Sequence, residues 1–329
     1  MKNKYTNKYI LETGIGLQDV DRLDNSSYFK NEANRYLKGE ISLEELDTII
    51  TSYYENKSDS NGRYEEADKI SIRIAKIISD DYFTFSVGQL LSMHKTLFDG
   101  VFEHAGKIRE YNFSKKEWVL DGASVLYGDY RELESTLQYD FNQEKNFKYE
   151  GLSVNEVIEH LALFVANLWQ IHVFEEGNTR TTAVFFIKYL RKLGFDVTND
   201  TFAKNAWYFR NSLVRANYTN VSKGIYEDRS YLIKFLRNLL LGEKNELLNR
   251  ELHIQVNGKE SCLTREERIL NFINDNNEIT LAEIAQKLNV SLRTVKSIIK
   301  VMKDKNQIKR INGKKYGCWQ VTNGKSNKL

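Results

Sequence analysis

No proline occurs anywhere in the 329 residues of this chain. Proline interrupts helices and β-ladders because its ring fixes φ and removes a backbone N–H donor. Turns must therefore be made by Gly, Asn and Asp, and long helices can run without an internal break. This composition favours an all-α fold.

Helix start signals recur along the chain and agree with that expectation. Ser42 and Ser153 each precede a glutamate by three positions, which is the form of a capping box. The segment after Ser153 is hydrophobic nearly all round, which predicts a central buried helix. A second apolar helix is predicted from Thr181 to Leu193, with Gly194 as its terminator.

Between Gly106 and Tyr130 the helical spacing gives way to another pattern. Residues 107–113 alternate roughly with period two, and an apolar Trp118-Val119-Leu120 stands before the turn residues Asp121-Gly122. We expect a short β-hairpin or extended flap that interrupts the helices.

The charge of the chain is divided unequally. Residues 264–329 hold 14 Lys and Arg against 6 Asp and Glu, a net charge of +8, whereas residues 1–263 hold 34 against 39, a net charge of −5. A basic tail behind a mildly acidic body suggests a surface that faces nucleic acid. No run approaches the roughly 18 apolar residues of a membrane span, so we expect a cytoplasmic protein without a membrane partner.

The basic tail has the element order of a winged helix. Helices are predicted at 265–273, 281–288 and 292–303, followed by short strands at 308–311 and 316–321. In this arrangement the third helix would enter a DNA major groove. The residues predicted to contact DNA are Arg293, Thr294, Lys296 and Ser297.

One stretch between the two apolar helices combines titratable and phosphate-binding residue types. It runs His172-Val173-Phe174-Glu175-Glu176-Gly177-Asn178-Thr179-Arg180. Its second half would open a helix, where free backbone N–H groups and the helix dipole bind anions.

Three side chains of this stretch suit phosphate chemistry. Arg180 offers a planar fork for phosphate, Glu176 can hold a Mg²⁺ that bridges phosphates, and His172 can take the proton of a hydroxyl. Together they indicate a phosphoryl- or nucleotidyl-transfer site, although each alone also occurs in structural roles.

The pattern His-x-Phe-x-Glu-Gly-Asn-x-Arg closely resembles the signature of Fic-domain proteins, most of which move AMP from Mg-ATP to a Tyr, Thr or Ser of a protein. The resemblance covers roughly residues 65–240. Within it, Ala105-Gly106-Lys107-Ile108-Arg109 and the flap that follows look like the family's β-hairpin, which clamps the target segment. The resemblance implies a Fic-type helical core, ATP as substrate, Mg²⁺ as metal and a protein target that can be the chain itself.

The resemblance also implies residue roles. His172 would be the general base, Phe174 a core anchor for the turn and Glu176 the metal ligand. The residues expected to bind the nucleotide are Gly177, Asn178, Thr179, Arg180, Tyr208 and Asn217, the last two through the nucleoside.

Two positions depart from the fuller family signature, GNGRxxR. Thr179 replaces the third-position Gly, and Ala183 replaces the second Arg, which usually contacts the γ-phosphate. The Doc branch, a kinase that binds ATP in the flipped sense, also lacks both residues, but Gly177 is the residue of the AMP transferases. We therefore expect a protein adenylyltransferase, with a Doc-like protein kinase and a nucleotide-sensing transcriptional regulator as alternatives.

The N-terminal region adds a possible restraint on activity. The segment from Thr51 to Asn56 fits [ST]xxxE[GN], the form of the family's autoinhibitory motif, in which the glutamate disturbs the γ-phosphate. Glu55 is accordingly expected to be autoinhibitory, and the competing interpretation is a solvated glutamate at a helix end. The predicted division of the chain is an N-terminal helical segment (1–61), a Fic catalytic domain (62–245), a linker (246–262) and a winged-helix domain (263–329).

Overall fold

The computed structural model describes residues 6–56, 62–254, 265–288, 290, 292–311 and 318–322. The chain forms two compact units, Met1–Ile254 and Gln255–Leu329. Both consist mainly of α-helices, and the two described strands belong to the second unit. The predicted all-α class is confirmed.

The helices in the described part of the first unit are numbered in chain order. They are α1 (Asn7–Gly16), α2 (Ser27–Leu37), α3 (Leu43–Glu55), α4 (Gly62–Ser79), α5 (Val87–Phe98), α6 (Leu133–Asn146), α7 (Val154–Ile171), α8 (Asn178–Lys192), α9 (Thr201–Ala216), α10 (Ser230–Leu241) and α11 (Asn249–Leu252). None of the described helices combines the length and the apolar composition that crossing a bilayer requires.

Several helix ends lie where the local sequence predicts them. Ser42 and Ser153 both form complete capping boxes. α8 begins at Asn178, within the turn that was expected to open it, and Gly177 precedes its first turn in a left-handed conformation with φ +76°. The predicted terminator Gly194 follows the helix with φ +94°.

α7 and α8 form the buried centre of the first unit. α1, which no pattern predicted, packs against α4 and α9. The approach of α1 is very close. A Cβ on Gly14 would lie 2.2 Å from the carbonyl oxygen of Ser71, and one on Gly16 would lie 2.2 Å from that of Ala203. Only glycine permits this packing, so α1 is an integral part of the core.

A buried carboxylate ties the N-terminal helices α2 and α3 to α4. Asp68, which is inaccessible to solvent, accepts hydrogen bonds from Asn25 Nδ2 (3.0 Å), the Ser26 backbone N–H (2.9 Å) and the Tyr54 hydroxyl (2.7 Å). The described residues before α4 therefore share the core of the first unit.

Of the two alternatives predicted between residues 106 and 130, the β-hairpin does not form and the extended flap does. This segment, called the flap below, reverses direction without forming a β-ladder. Side chains take the backbone groups that a ladder would pair: the Arg109 guanidinium donates to the Tyr111 carbonyl (2.6 Å), and the Ser124 hydroxyl accepts from the Lys115 N–H (3.2 Å). The period-two pattern thus reflects an extended chain that is held by side chains.

The first unit extends to Ile254, beyond the residue where the linker was predicted to begin. Leu252 is fully buried, and the Tyr231 hydroxyl donates to the Glu251 carbonyl (2.8 Å), so α11 packs on the first unit. The polar composition around α11 concealed this single apolar anchor. Residues 246–254 therefore belong to the first unit, and the rest of the predicted linker lies outside the described residues.

The second unit has the predicted order of helices followed by strands. Its described elements are α12 (Arg265–Asp275), α13 (Leu281–Leu288), α14 (Leu292–Asp304), β1 (Ile308–Ile311) and β2 (Cys318–Val321). The strands pair antiparallel, with Ile308 opposite Val321. Trp319 of β2 is buried and its indole N–H donates to the Ile279 carbonyl (2.9 Å), which joins the strands to the connection between α12 and α13.

Candidate active site

His172 lies at the junction of α7 and α8 in a left-handed backbone conformation, with φ +51° and ψ +57°. Its Nδ1 is 3.3 Å from the carbonyl oxygen of Trp169. A carbonyl oxygen only accepts, so the neutral ring carries its proton on Nδ1. Nε2 is buried and has no hydrogen-bond partner among the described residues. The lone pair of Nε2 is therefore available to accept a proton.

Aromatic rings enclose this imidazole. Tyr127 of the flap stacks on it with 3.9 Å between ring centroids, and Phe113 of the flap and Trp169 of α7 meet it edge-on at 5.7 and 5.2 Å. Burial, and after it the positive charge of Lys115, lowers the pKa of His172 well below its usual 6.5. The side chain is therefore neutral at pH 7, and the flap covers it.

The turn that follows His172 is closed by Asn178. Its Oδ1 accepts from the Phe174 backbone N–H (2.9 Å), and its Nδ2 donates to the Phe174 carbonyl (2.7 Å). The Phe174 ring is buried, in agreement with a core anchor. Because the Asn178 amide holds the turn, its contact with phosphate stays a prediction.

His94 of α5 supports the same turn, and no sequence pattern singled it out. Its Nδ1 accepts from the Gly106 N–H (2.8 Å), which leaves the proton on Nε2 to be donated to the Glu176 carbonyl (3.0 Å). The ring stacks on Phe174 with 3.6 Å between centroids. Burial lowers the pKa of His94 to about 4, so the neutral ring connects the start of the flap to the turn.

The Thr179 side chain accepts a hydrogen bond that the glycine of the family signature, which has no side chain, could not accept. The indole N–H of Trp169 donates to its hydroxyl oxygen (2.9 Å). Trp169 also packs edge-on against His172. The departure from the signature at Thr179 therefore locks α8 to the end of α7, beside the histidine.

Glu176 is the exposed carboxylate of the turn, with 51% of its side chain accessible and its Oε2 only 2.8 Å from Lys115 Nζ. Among the described residues, no three His, Cys, Asp or Glu side chains cluster as a metal site. Mg²⁺ in nucleotide enzymes is commonly held by one or two carboxylates together with substrate phosphates. One carboxylate with free space beside substrate phosphates would suit that arrangement, and the role of Glu176 as the magnesium ligand stays a prediction.

Arg180 is buried and its charge is already offset. Its Nη2 lies 2.6 Å from Glu66 Oε1 and its Nη1 donates to Gln18 Oε1 (3.1 Å). Its Nε is 2.9 Å from Asp21 Oδ2, an ion-pair contact that lacks hydrogen-bond geometry. The guanidinium also lies over the Phe98 ring, 4.9 Å from its centroid. The carboxylates of Asp21, which precedes α2, and of Glu66 in α4 thus pair with the arginine that was expected to bind phosphate.

The two predicted nucleoside residues differ in their surroundings. Tyr208 is buried between α9 and α10, where its hydroxyl donates to the Tyr231 carbonyl (3.3 Å), and its nucleoside contact stays a prediction. Asn217 is half-buried and donates to the Ala166 carbonyl of α7 (3.0 Å). It lines a cavity of about 320 Å³ with Gln170 and residues of the flap.

Glu55 is the last residue of α3 and is exposed to solvent. Within the described part of the chain, the carboxylates that pair with Arg180 are those of Asp21 and Glu66. The inhibitory role of Glu55 stays a prediction.

The predicted DNA-contacting residues lie on α14. Arg293, Lys296 and Ser297 are exposed and Thr294 is half-buried, whereas the apolar side of the helix, including Val295, faces the core of the second unit. The exposed face of α14 therefore carries basic and hydroxyl groups.

Comparison with known proteins matches both parts of the chain. Residues 84–190 match the Fic/DOC family, and residues 264–309 match the winged helix-turn-helix DNA-binding family. Over 166 residues the chain is 28% identical to the protein adenylyltransferase VbhT of Bartonella schoenbuchensis, a match that covers 44% of this chain and 33% of that relative. The match thus spans about a third of the relative's length.

A solved structure of a Fic family protein from Desulfovibrio desulfuricans is 14% identical, with a TM-score of 0.42, and the alignment covers 98% of this chain and 90% of that one. The family matches enclose both motifs described above, the turn from His172 to Arg180 and the helix α14. The chain therefore contains a Fic/DOC domain and, C-terminal to it in the sequence, a winged helix-turn-helix domain.

Proposed function

We propose that this chain is a protein adenylyltransferase that moves AMP from ATP to the hydroxyl of a Tyr, Thr or Ser in a protein target. One observation carries the proposal: the His172 ring is buried, its Nδ1 lies 3.3 Å from the Trp169 carbonyl oxygen, and its Nε2 has no hydrogen-bond partner among the described residues. A phosphate-binding turn without chemistry would need no such base. The adenylyltransferase activity named for the similar protein VbhT agrees with the proposal.

In the proposed reaction the oxygen of the target hydroxyl attacks the α-phosphorus of ATP. Nε2 of His172 takes the hydroxyl proton as the new P–O bond forms. The bond between the α-phosphorus and the oxygen that bridges to the β-phosphate breaks, and pyrophosphate leaves with the bonding electrons. The backbone N–H groups at the start of α8, from Gly177 to Thr179, favour the negative charge of the reacting phosphate.

The flap and the magnesium ligand have distinct parts in this proposal. When bound, Mg²⁺ would neutralise charge on the phosphates, and Glu176 is the residue that would hold it. Tyr127 and Phe113 cover His172 in the resting arrangement, so the flap must shift before a target hydroxyl reaches Nε2. The cavity beside Asn217 is the space that we assign to the nucleoside.

The direct test of the reaction is incubation of the full chain and candidate target proteins with ATP labelled at either the α- or the γ-phosphate. We expect α-label on protein and release of labelled pyrophosphate from the γ-labelled ATP. Transfer of the γ-label alone would establish the Doc-like kinase. Saturable ATP binding with neither label on protein would favour the nucleotide-sensing regulator.

The same assay addresses the restraint by the N-terminal helices. We propose that a carboxylate near the turn holds transfer back: the sequence motif nominates Glu55, and the contacts with Arg180 nominate Asp21 and Glu66. An increase of α-label in only one of the variants Glu55→Gln, Glu66→Gln and Asp21→Asn identifies the restraining residue. An unchanged rate in all three would end the proposal of carboxylate restraint.

For the second unit we propose DNA binding through α14. Each lysine or arginine that contacts a phosphate contributes about one to the slope of log affinity against log salt. Lys296→Ala should therefore lower that slope by about one in a gel-shift titration. Lys30→Ala, which removes an exposed lysine of the first unit, serves as the control. Equal slopes for the two variants would remove α14 from the interface.

A further inference from the structure

The imidazole of His172 lies in the field of three basic side chains. Besides burial, the charges of Lys115, Arg210 and Arg109 all lower its pKa. Two of them also contact the turn directly: Arg109 Nε donates to the His172 carbonyl (2.7 Å), and Lys115 Nζ lies 2.8 Å from Glu176 Oε2. The three cations differ in whether they are able to change partners.

Two of these three cations, Arg109 and Arg210, are held by buried structural contacts. The Arg109 side chain is buried and donates to the backbone carbonyls of His172 (2.7 Å) and Tyr111 (2.6 Å). Arg210 makes a two-pronged contact with the buried carboxylate of Glu117, at 2.5 and 3.0 Å. Moving either guanidinium would leave buried hydrogen-bond acceptors unpaired, which is unfavourable.

Lys115 is bound differently. Its side chain remains 27% exposed and its Nζ contacts Glu176, the carboxylate predicted to be the magnesium ligand. Its backbone N–H is held by the Ser124 hydroxyl, so the base of the side chain stays over the turn even when the ammonium exchanges its partner. A divalent ion on Glu176 would compete with the ammonium for this carboxylate and free Lys115 to bind another anion.

The site also needs a further cation. ATP brings a strongly negative triphosphate, while Arg180 is already neutralised by Asp21 and Glu66. Ala183 supplies no charge at the position of the second arginine in the family signature. A lysine is a suitable substitute because an ammonium binds phosphate as a compact point charge.

We propose that Lys115 of the flap binds the terminal phosphates of the nucleotide and thereby takes the role of the arginine that Ala183 replaces. The inference rests on the proposed function, since it assumes that a nucleoside triphosphate occupies the turn. Lys115 then determines whether the site prefers ATP over nucleotides with fewer phosphates.

The test is nucleotide binding by the full chain in the turnover-free His172→Ala background, measured calorimetrically for ATP and AMP, with Mg²⁺ and with a chelator. Lys115→Gln should weaken ATP binding about tenfold or more, the worth of a hydrogen bond between charged groups, in both conditions. AMP affinity should change little because AMP lacks the terminal phosphates. Lys115→Arg should retain most of the ATP affinity.

Lys116→Gln is the matched control, because Lys116 is the neighbouring exposed lysine of the same flap. Equal ATP affinity of Lys115→Gln and Lys116→Gln would overturn the role of Lys115, and α-label transfer by the unmodified chain would show that the proposed function survives. Tighter ATP binding by Lys115→Gln would overturn it in favour of an ammonium that blocks the metal ligand. No ATP binding by the chain, with no label transferred, would overturn both.

Discussion

Replacing His172 with alanine is expected to lower AMP transfer by about 10² to 10⁴-fold, the usual contribution of a general base. The reason is that Nε2 is the one atom of the turn whose unprotonated lone pair is both buried and unpartnered within the described residues. ATP binding should persist, because the backbone donors at the start of α8 do not involve the imidazole. Transfer of α-label under single-turnover conditions, together with ATP affinity, measures the two effects separately.

His160 provides the control for the loss of a stacked imidazole. It packs on Phe147 with 3.3 Å between ring centroids and contacts Glu144 at 2.7 Å, so His160→Ala removes similar packing without removing the base. Comparable losses of transfer in the two variants would mean that His172 acts only through packing.

The pH dependence follows from the same side chain. Burial lowers the pKa of His172 well below 6.5, so the imidazole stays neutral as the pH falls through that value. The kcat/KM for transfer, which reports the free enzyme, should therefore lack a decline centred near pH 6.5. A decline of kcat/KM near pH 6.5 that is lost only in His172→Ala would contradict this expectation. It would mean that the His172 imidazole is exposed to solvent before the substrate binds.

Gly177→Ala is expected to reduce the free energy of unfolding of the first unit by about 2–4 kcal/mol and to abolish transfer. A left-handed φ of +76° strains any residue with a Cβ, and this Cβ would lie 2.4 Å from the Phe98 ring. That ring is fully buried and lies under the Arg180 guanidinium, so it cannot withdraw freely. Urea unfolding followed by tryptophan fluorescence measures the loss.

A variant at Gly194, at the other end of α8, separates the cost of backbone strain from the cost of a steric clash. Its φ is +94°, but an added Cβ would meet nothing within 4 Å. Gly194→Ala should therefore show only the backbone cost of about 1–2 kcal/mol and retain transfer. Equal losses of unfolding free energy in the two variants would mean that the Phe98 ring moves to accommodate the added Cβ. The close approach at Gly177 would then contribute nothing to the cost.

Local patterns were sufficient for those features that a few neighbouring residues determine. The capping boxes at Ser42 and Ser153 and the terminator Gly194 rest on contacts within one or two helical turns, and all three are present. The order of elements in the second unit has the same origin. The division of the chain was less accurate at its linker, because the burial of Leu252 depends on a distant helix.

Residue spacing could identify the candidate base, the acidic turn and the arginine, but not the partners of these groups. Arg180 meets Gln18 and Glu66 across 162 and 114 positions of the chain, and no local pattern encodes such contacts. His94 likewise reaches Glu176 across 82 positions. The flap shows the same limit, since its alternating residues predicted strands, whereas Arg109 and Ser124 take the backbone groups that strands would share.

The sequence by itself determined the helical class, the helix ends and the nine-residue turn from His172 to Arg180, because short-range hydrogen bonding and backbone preference decide these features. Only the tertiary structure decided that His172 is buried under the flap, that Arg180 is neutralised, and that Lys115 lies against Glu176. The reason is physical: burial and charge pairing depend on which distant segments pack together, and these surroundings set the protonation and availability of each group.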